Sequence, residues 1–180
     1  MAVKTFGTEV LTSADTNTYL ANSGLVYVTS ATVGTGASTV AVSNCFSSTY
    51  DSYKIVYQGG VASTVCHIVL YIGAANTAYY GGLIYNTAAV PTPLGATDNN
   101  SSSFTYAAGG NSQLALANID CHNPFLAKYT LVNCWNMSFN NFGTYNGYLG
   151  NTTSYTGFTL VPSGATLTGG TVTVYGYRKA

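Results

Sequence analysis

Residues 171–180 read TVTVYGYRKA. The β-formers alternate strictly, which predicts a strand with Val172, Val174 and Gly176 toward a core and Thr171, Thr173, Tyr175 and Tyr177 outward. The solvent side of such a strand is expected to be polar, yet this one ends in two tyrosines. Rings of that size call for a partner. Another copy of the chain is the expected one, because a threefold assembly would bury Tyr175 and Tyr177 in every subunit and leave Arg178 and Lys179 hydrated at the rim.

The same grammar runs back through the chain. From Leu25 onward, short β segments are separated by turn residues: LVYVTSATV, STVAVSNCF, SYKIVYQGGV, VCHIVLYIG, YYGGLIY, SFTYAA, SQLALANI, KYTLVNCWNMSF and TSYTGFTLVP precede the terminal strand. About ten strands with regular turn spacing predict an all-β chain folded as an antiparallel β-sandwich of jelly-roll type over residues 25–180, with a barrel as the less favoured closure. Residues 1–24 form an N-terminal arm with one short helix, SADTNTYLANSG, which Ser13 can cap and Gly24 can end. Phe6, Val10, Leu11, Tyr19 and Leu20 make the arm more apolar than a free tail. A helix so short is not stable alone, so the arm is expected to order by docking on a neighbour. Residues 86–103, NTAAVPTPLGATDNNSSS, read as the longest structureless loop, and a loop of that length is functional or mobile. The pairs Gly59-Gly60, Gly81-Gly82, Gly109-Gly110 and Gly169-Gly170 read as turn residues, with no following helix or lysine to cradle a phosphate.

Composition narrows the partners. Five Lys+Arg balance five Asp+Glu in 180 residues, so the surface must be built from hydroxyls and amides. It offers no field for nucleic acid or anionic lipid. Net charge near zero favours association, which suits a subunit covered by copies of itself. No run approaches the ~20 apolar residues of a membrane span. Glu9 and Asp15 stand where a signal peptide needs an apolar stretch, so the chain is expected to be made in a cytoplasm. Cys45, Cys66, Cys121 and Cys134 are then expected as buried thiols.

Catalytic chemistry finds little purchase. Glu9, Asp15, Asp51, Asp98 and Asp120 are scattered, whereas glycoside cleavage needs two carboxylates flanking one bond; Asp98 and Asp120 are the pair the fold could bring together. Cys66-His67 and Cys121-His122 supply zinc-type ligands, but neighbours on a strand point to opposite faces and the C-x-x-C spacing is missing. No catalytic residue, metal or cofactor is expected. Tyrosine is the conspicuous type, with 16 in the chain. Half or more should fill and rim the sandwich, and the rest suit sugar faces or another subunit.

The arm FGTEVLTSADTNTYLANSGLVYV, the closing strand GTVTVYGYRK, and FSSTYDSYKIVYQG at residues 46–59, with its F-x-S-x-Y-D-x-Y pattern, are similar to bacteriophage virion proteins. Among these they resemble in particular small tail-fibre or receptor-binding subunits of marine and cyanobacterial phages, over about a third of the chain. The resemblance implies a β-sandwich head, a homotrimer, no enzymatic activity and a place in the virion after assembly in the host bacterial cytoplasm. The arm would attach to other virion proteins of tail or capsid. A host cell-surface glycan would meet the loops, with Tyr85, Asp98, Asn99, Asn100 and Phe104 as contact candidates. A capsid decoration or head-fibre protein of the same fold is the alternative, and a carbohydrate-cleaving virion enzyme the least favoured. Neither nucleic acid binding nor membrane insertion is expected.

Overall fold

A computed structural model describes residues 3–5, 8–11, 24–138 and 141–179. The helix expected at residues 13–24 falls outside these, apart from Gly24, as do Phe6, Tyr19 and Leu20. In the arm, β1 (Val3–Thr5) and β2 (Thr8–Leu11) pair as an antiparallel hairpin that joins none of the other strands; Val10 and Leu11 lie in β2.

The remaining thirteen strands are all antiparallel and form one continuous sheet folded into a sandwich. In chain order they are β3 (Leu25–Thr32), β4 (Val40–Val42), β5 (Ser52–Ala62), β6 (Cys66–Ile72), β7 (Tyr79–Thr87), β8 (Val90–Ser101) and β9 (Phe104–Gly110). There follow β10 (Ala115–His122), β11 (Thr130–Ser138), β12 (Asn141–Leu149), β13 (Phe158–Pro162), β14 (Leu167–Thr168) and β15 (Thr171–Tyr177). The large layer runs β3-β15-β5-β10-β11-β12-β7-β8, and the small layer β4-β13-β6-β9. They are continuous at one corner, where Gly109 and Gly110 of β9 pair with Leu116 and Ala115 of β10. A Cβ at Gly110 would press on Ala115 and Ala62 at 3.0 and 3.1 Å, so the corner is tightly closed around a glycine.

Period-two alternation fills the interior. Tyr53, Ile55 and Tyr57 of β5, Ala117, Ile119 and Cys121 of β10, and Val172 and Val174 of β15 face Ile68, Leu70 and Ile72 of β6 and Phe158 and Leu160 of β13. All four cysteines are buried free thiols.

The core also holds a polar seam. β9 bonds to β6 along one edge, and most of its other edge has no strand beside it. Unpaired backbone groups in a core are costly, and side chains of the large layer take them up. The buried Asn136 amide of β11 donates to Tyr106 O at 2.9 Å and Ala108 O at 3.2 Å. The buried Asp98 of β8 accepts Thr105 N–H at 2.9 Å, and the same oxygen accepts the Tyr145 hydroxyl at 2.8 Å. Ser101 Oγ donates to its other oxygen at 3.2 Å. Tyr145 reaches Asp98 because Gly147 and Gly81 lie beneath its ring: a Cβ at Gly81 would collide with the phenol oxygen.

Several sequence expectations are corrected here. Residues 86–103 are not a structureless loop: Val90–Ser101 is a twelve-residue strand paired with β7. Its prolines are tolerated because β8 lies at the sheet edge, where half the N–H groups need no partner. Asn141–Leu149, also unassigned from sequence, is the central strand β12. Of the glycine pairs, only Gly169-Gly170 forms a turn between strands, with φ of 73 and 81°. Gly81-Gly82 lies inside β7 and Gly109-Gly110 ends β9, where Gly81 and Gly110 serve close approach, while Gly59-Gly60 marks the bulge in β5.

Candidate interaction face

The question posed by the terminal strand is answered within the chain. β15 is not at an edge; it lies between β3 and β5. Tyr175 meets the Tyr27 ring edge-on at 6.3 Å. The Tyr177 hydroxyl reaches across β5 and donates to Asp120 Oδ1, while Lys54 Nζ donates to Asp120 Oδ2 at 3.0 Å. Burial and the bond to Asp120 together push the Tyr177 phenol up to about 12. The premise that these rings require another copy therefore falls. Tyr177→Phe is expected to cost the monomer about 1.5 kcal/mol, the low end for a bond to a charged acceptor because the site is half-open. Urea unfolding of the variant measures it.

Cross-strand register lays out the whole outer face of the large layer. One row reads Tyr175, Lys54, Asp120, Asn133, Asn146 from β15 to β12. This polar stripe has Tyr177, His122, Leu131 and Tyr148 along one side, with His122 Nδ1 2.9 Å from Ser52 Oγ. Asn133 Nδ2 donates to Asn146 Oδ1, which leaves Asn133 Oδ1 and Asn146 Nδ2 outside that bond on two exposed side chains.

Beyond the stripe the face changes character. Trp135, Thr144 and Ile84 form the next row on β11, β12 and β7, and Met137 and Phe142 pair in the row after it. Trp135 is 57% exposed, Ile84 68% and Phe142 49%. Trp135, Met137, Phe142 and Thr144, with Asn136 and Gly143, line a shallow groove of about 250 Å³. At the opposite end of the same strands Tyr129, Tyr148 and Tyr80 stack in series, with ring centroids 5.7 and 5.1 Å apart.

The expected host-contact residues do not converge on an exposed loop. Asp98 and Phe104 are buried, which removes both from any contact surface. Tyr85 packs partly against the core. Asn100, at φ 52°, accepts Ala78 N–H at 3.1 Å and the Thr77 hydroxyl at 3.2 Å, so it shapes the β8 end. Asn99 is exposed beside it.

Among the described residues the carboxylates Asp51, Asp98 and Asp120 are equally dispersed. Asp98 lies in the core while Asp120 lies on the outer face of the same layer, so they cannot flank one bond. Asp51 pairs with Lys179 at 2.7 Å. His67 contacts the Tyr106 ring edge-on at 4.9 Å, and burial lowers its pKa. Among the described residues no three His, Cys, Asp or Glu side chains converge on a metal-sized site. Sequence reasoning missed the Trp135 face, although Leu131, Trp135 and Met137 alternate with Val132 and Cys134 in plain view.

Known proteins add little to this geometry. No protein-family profile matches the sequence, and no curated protein matches it. Among solved structures, 96% of the chain aligns with 36% of a fructofuranosidase variant from Schwanniomyces occidentalis complexed with fructosylnystose, at 8% identity and a TM-score of 0.24. The chain thus spans about a third of that protein's length, and a likeness at that score is too slight to bear on fold or activity.

Proposed function

We propose that the protein is a non-enzymatic structural subunit of a bacteriophage virion, a trimeric tail-fibre or tail-tip component that attaches through its N-terminal arm and binds host-surface glycan. The observation that carries this reading is the outer face of the large layer. A sheet face presenting tyrosines, amides and a single compensated Lys54–Asp120 pair suits neutral, hydroxyl-rich surfaces, since aromatic rings and amides bind without needing net charge. The dispersal of the carboxylates speaks for recognition over cleavage. The polar half on β15, β5 and β10, with Tyr27 and Tyr175 at its margin, is the better place for a sugar than residues 86–103, which are committed to β-pairing. A hairpin that joins no other strand is marginal alone, which supports the docking role given to the arm.

Imaging of particles carrying a labelled copy of the chain tests the reading. Three copies at the tail tip are the expected result. Label on the capsid shell would favour the decoration-protein alternative, and absence from particles would remove the virion reading altogether. The same preparation, lacking residues 1–24, is expected to contain folded protein that no longer joins the particle.

A further inference from the structure

We propose that copies of this chain meet through the outer face of β11, β12 and β7, centred on Trp135. The inference rests on the reading of the chain as an oligomeric subunit and assigns that assembly to a surface.

Antiparallel strands with one solvated face alternate apolar and polar, whereas strands covered on both sides are apolar throughout. β11 and β12 depart from the first pattern: beyond the exposed Asn133–Asn146 pair, Thr144 is the one polar side chain on their outer side before Met137 and Phe142. Val132, Cys134, Tyr145 and Leu149 fill the inner core. On the outer side Trp135, Met137 and Phe142 stand exposed together with Ile84 of β7, while Leu131 and Tyr148 stand exposed across the Asn133–Asn146 pair. Something must cover them, because contiguous apolar patches are rare on free monomers and mark interaction sites.

The composition says what covers them. β7, β11 and β12 are nine residues each and hold no Lys, Arg, Asp or Glu. Depletion of charge with enrichment in Trp, Tyr, Phe and Met is the signature of a protein–protein interface core. The chain's net charge is zero, so two copies approach without repulsion. With the flanking edge strand β8, strand spacing of ~4.8 Å and ~3.4 Å per residue give a face of roughly 600 Å². That is the lower end of the ~600–1,000 Å² per partner of a stable interface. A small ligand fits less well: the groove beside Trp135 is shallow and lacks the convergent polar groups of a ligand pocket. It is suited to receive an apolar side chain from the next copy.

Trp135 is the single tryptophan, so its emission reports on this face alone. Light scattering of the full chain at micromolar concentration is expected to give an oligomer, three times 18.7 kDa if the trimer reading holds, with indole emission of a buried ring. Ile84→Lys and Phe142→Lys each place a charge in the contact and are expected to raise the dissociation constant by at least about a hundredfold. Emission should then move to that of a solvated indole, with an unchanged circular dichroism spectrum. Both sites are exposed, so the subunit should still fold; Ile84→Ala, with a smaller loss of affinity, guards against a folding artefact. A dimer dissociated by these variants would uphold the face and overturn the trimer. An oligomer whose mass survives both lysine variants would overturn the face and leave the trimer standing. A wild-type monomer with solvated Trp135 emission would overturn both, as would a monomer whose emission responds saturably to a glycan, which would make this a ligand face.

Discussion

Replacing Asp98 with alanine is expected to cost the fold about 3 to 5 kcal/mol, a large part of the ~5–15 kcal/mol that holds a typical domain together. Three donors end on its carboxylate: Thr105 N–H, the Tyr145 hydroxyl and Ser101 Oγ. Two of them lie in the core seam between the layers. An alanine leaves a β9 backbone N–H and a buried phenol without acceptors, and each such orphan costs about 1 to 3 kcal/mol. Asparagine keeps the shape but turns one acceptor into a donor facing another donor, so Asp98→Asn is expected to recover only part of the loss. Denaturant midpoints of the two variants measure the difference. A midpoint for Asp98→Ala within experimental error of wild type would show that the seam contributes nothing. The variant should leave the mass of the assembly unchanged wherever the subunit stays folded, since Asp98 lies on the side of the layer opposite Trp135.

The second large effect is alkaline unfolding. Burial pushes the Cys45 thiol up to about 12 and holds Cys121 and Cys134 well above the ordinary thiol range. Burial likewise raises Tyr79 and Tyr145, the latter with help from its bond to Asp98. These are acids whose neutral form the fold prefers, so the folded state holds more protons than the unfolded chain once pH passes the unfolded pKa. Their stabilisation is complete below about pH 8.5 for the thiols and about pH 10 for the phenols, and it declines as pH rises toward the folded values. Three thiols ionised only when unfolded contribute a slope of about 4 kcal/mol per pH unit. Cooperative unfolding is therefore expected near pH 10, accompanied by abrupt appearance of phenolate absorbance and of reactive thiol. Urea midpoints from pH 7 to 11 follow it; a midpoint still unchanged at pH 11 would contradict the placement of these groups in the core. Cys45→Ala should make the decline shallower by about one proton's worth of slope.

The parts of this fold legible in the sequence are those governed by a single strand. Alternation in SYKIVYQGGV and TVTVYGYRKA specified which residues turn inward, and Tyr53, Ile55, Tyr57, Val172 and Val174 are buried accordingly. Period two is a property of the extended backbone and needs no partner to read. β8 was illegible because proline and polar residues look like loop chemistry until the strand is known to sit at an edge, and β12 because Gly143 and Gly147 look like turns until a neighbour is known to press on them. At Gly143 that neighbour is the Ile84 carbonyl, with which a Cβ would collide.

The candidate face lies beyond what one strand can show. β11 reads Leu131, Val132, Asn133, Cys134, Trp135, Asn136, Met137, apolar in both registers, and residue hydropathy would bury Trp135 before Asn136. The structure does the reverse, because the open edge of β9 needs a donor for Tyr106 O and Ala108 O and only the Asn136 amide is there to supply it. The two tyrosines of the last strand follow the same logic, since Asp120 lies two strands away on a segment some sixty residues earlier in a chain of 180. By itself the sequence determined that the chain is β, where most strands run and which side of many of them is apolar. The tertiary structure alone decided which apolar side is core and which is left exposed, because that depends on backbone groups of distant strands whose hydrogen bonds must be satisfied before any side chain is free to face water.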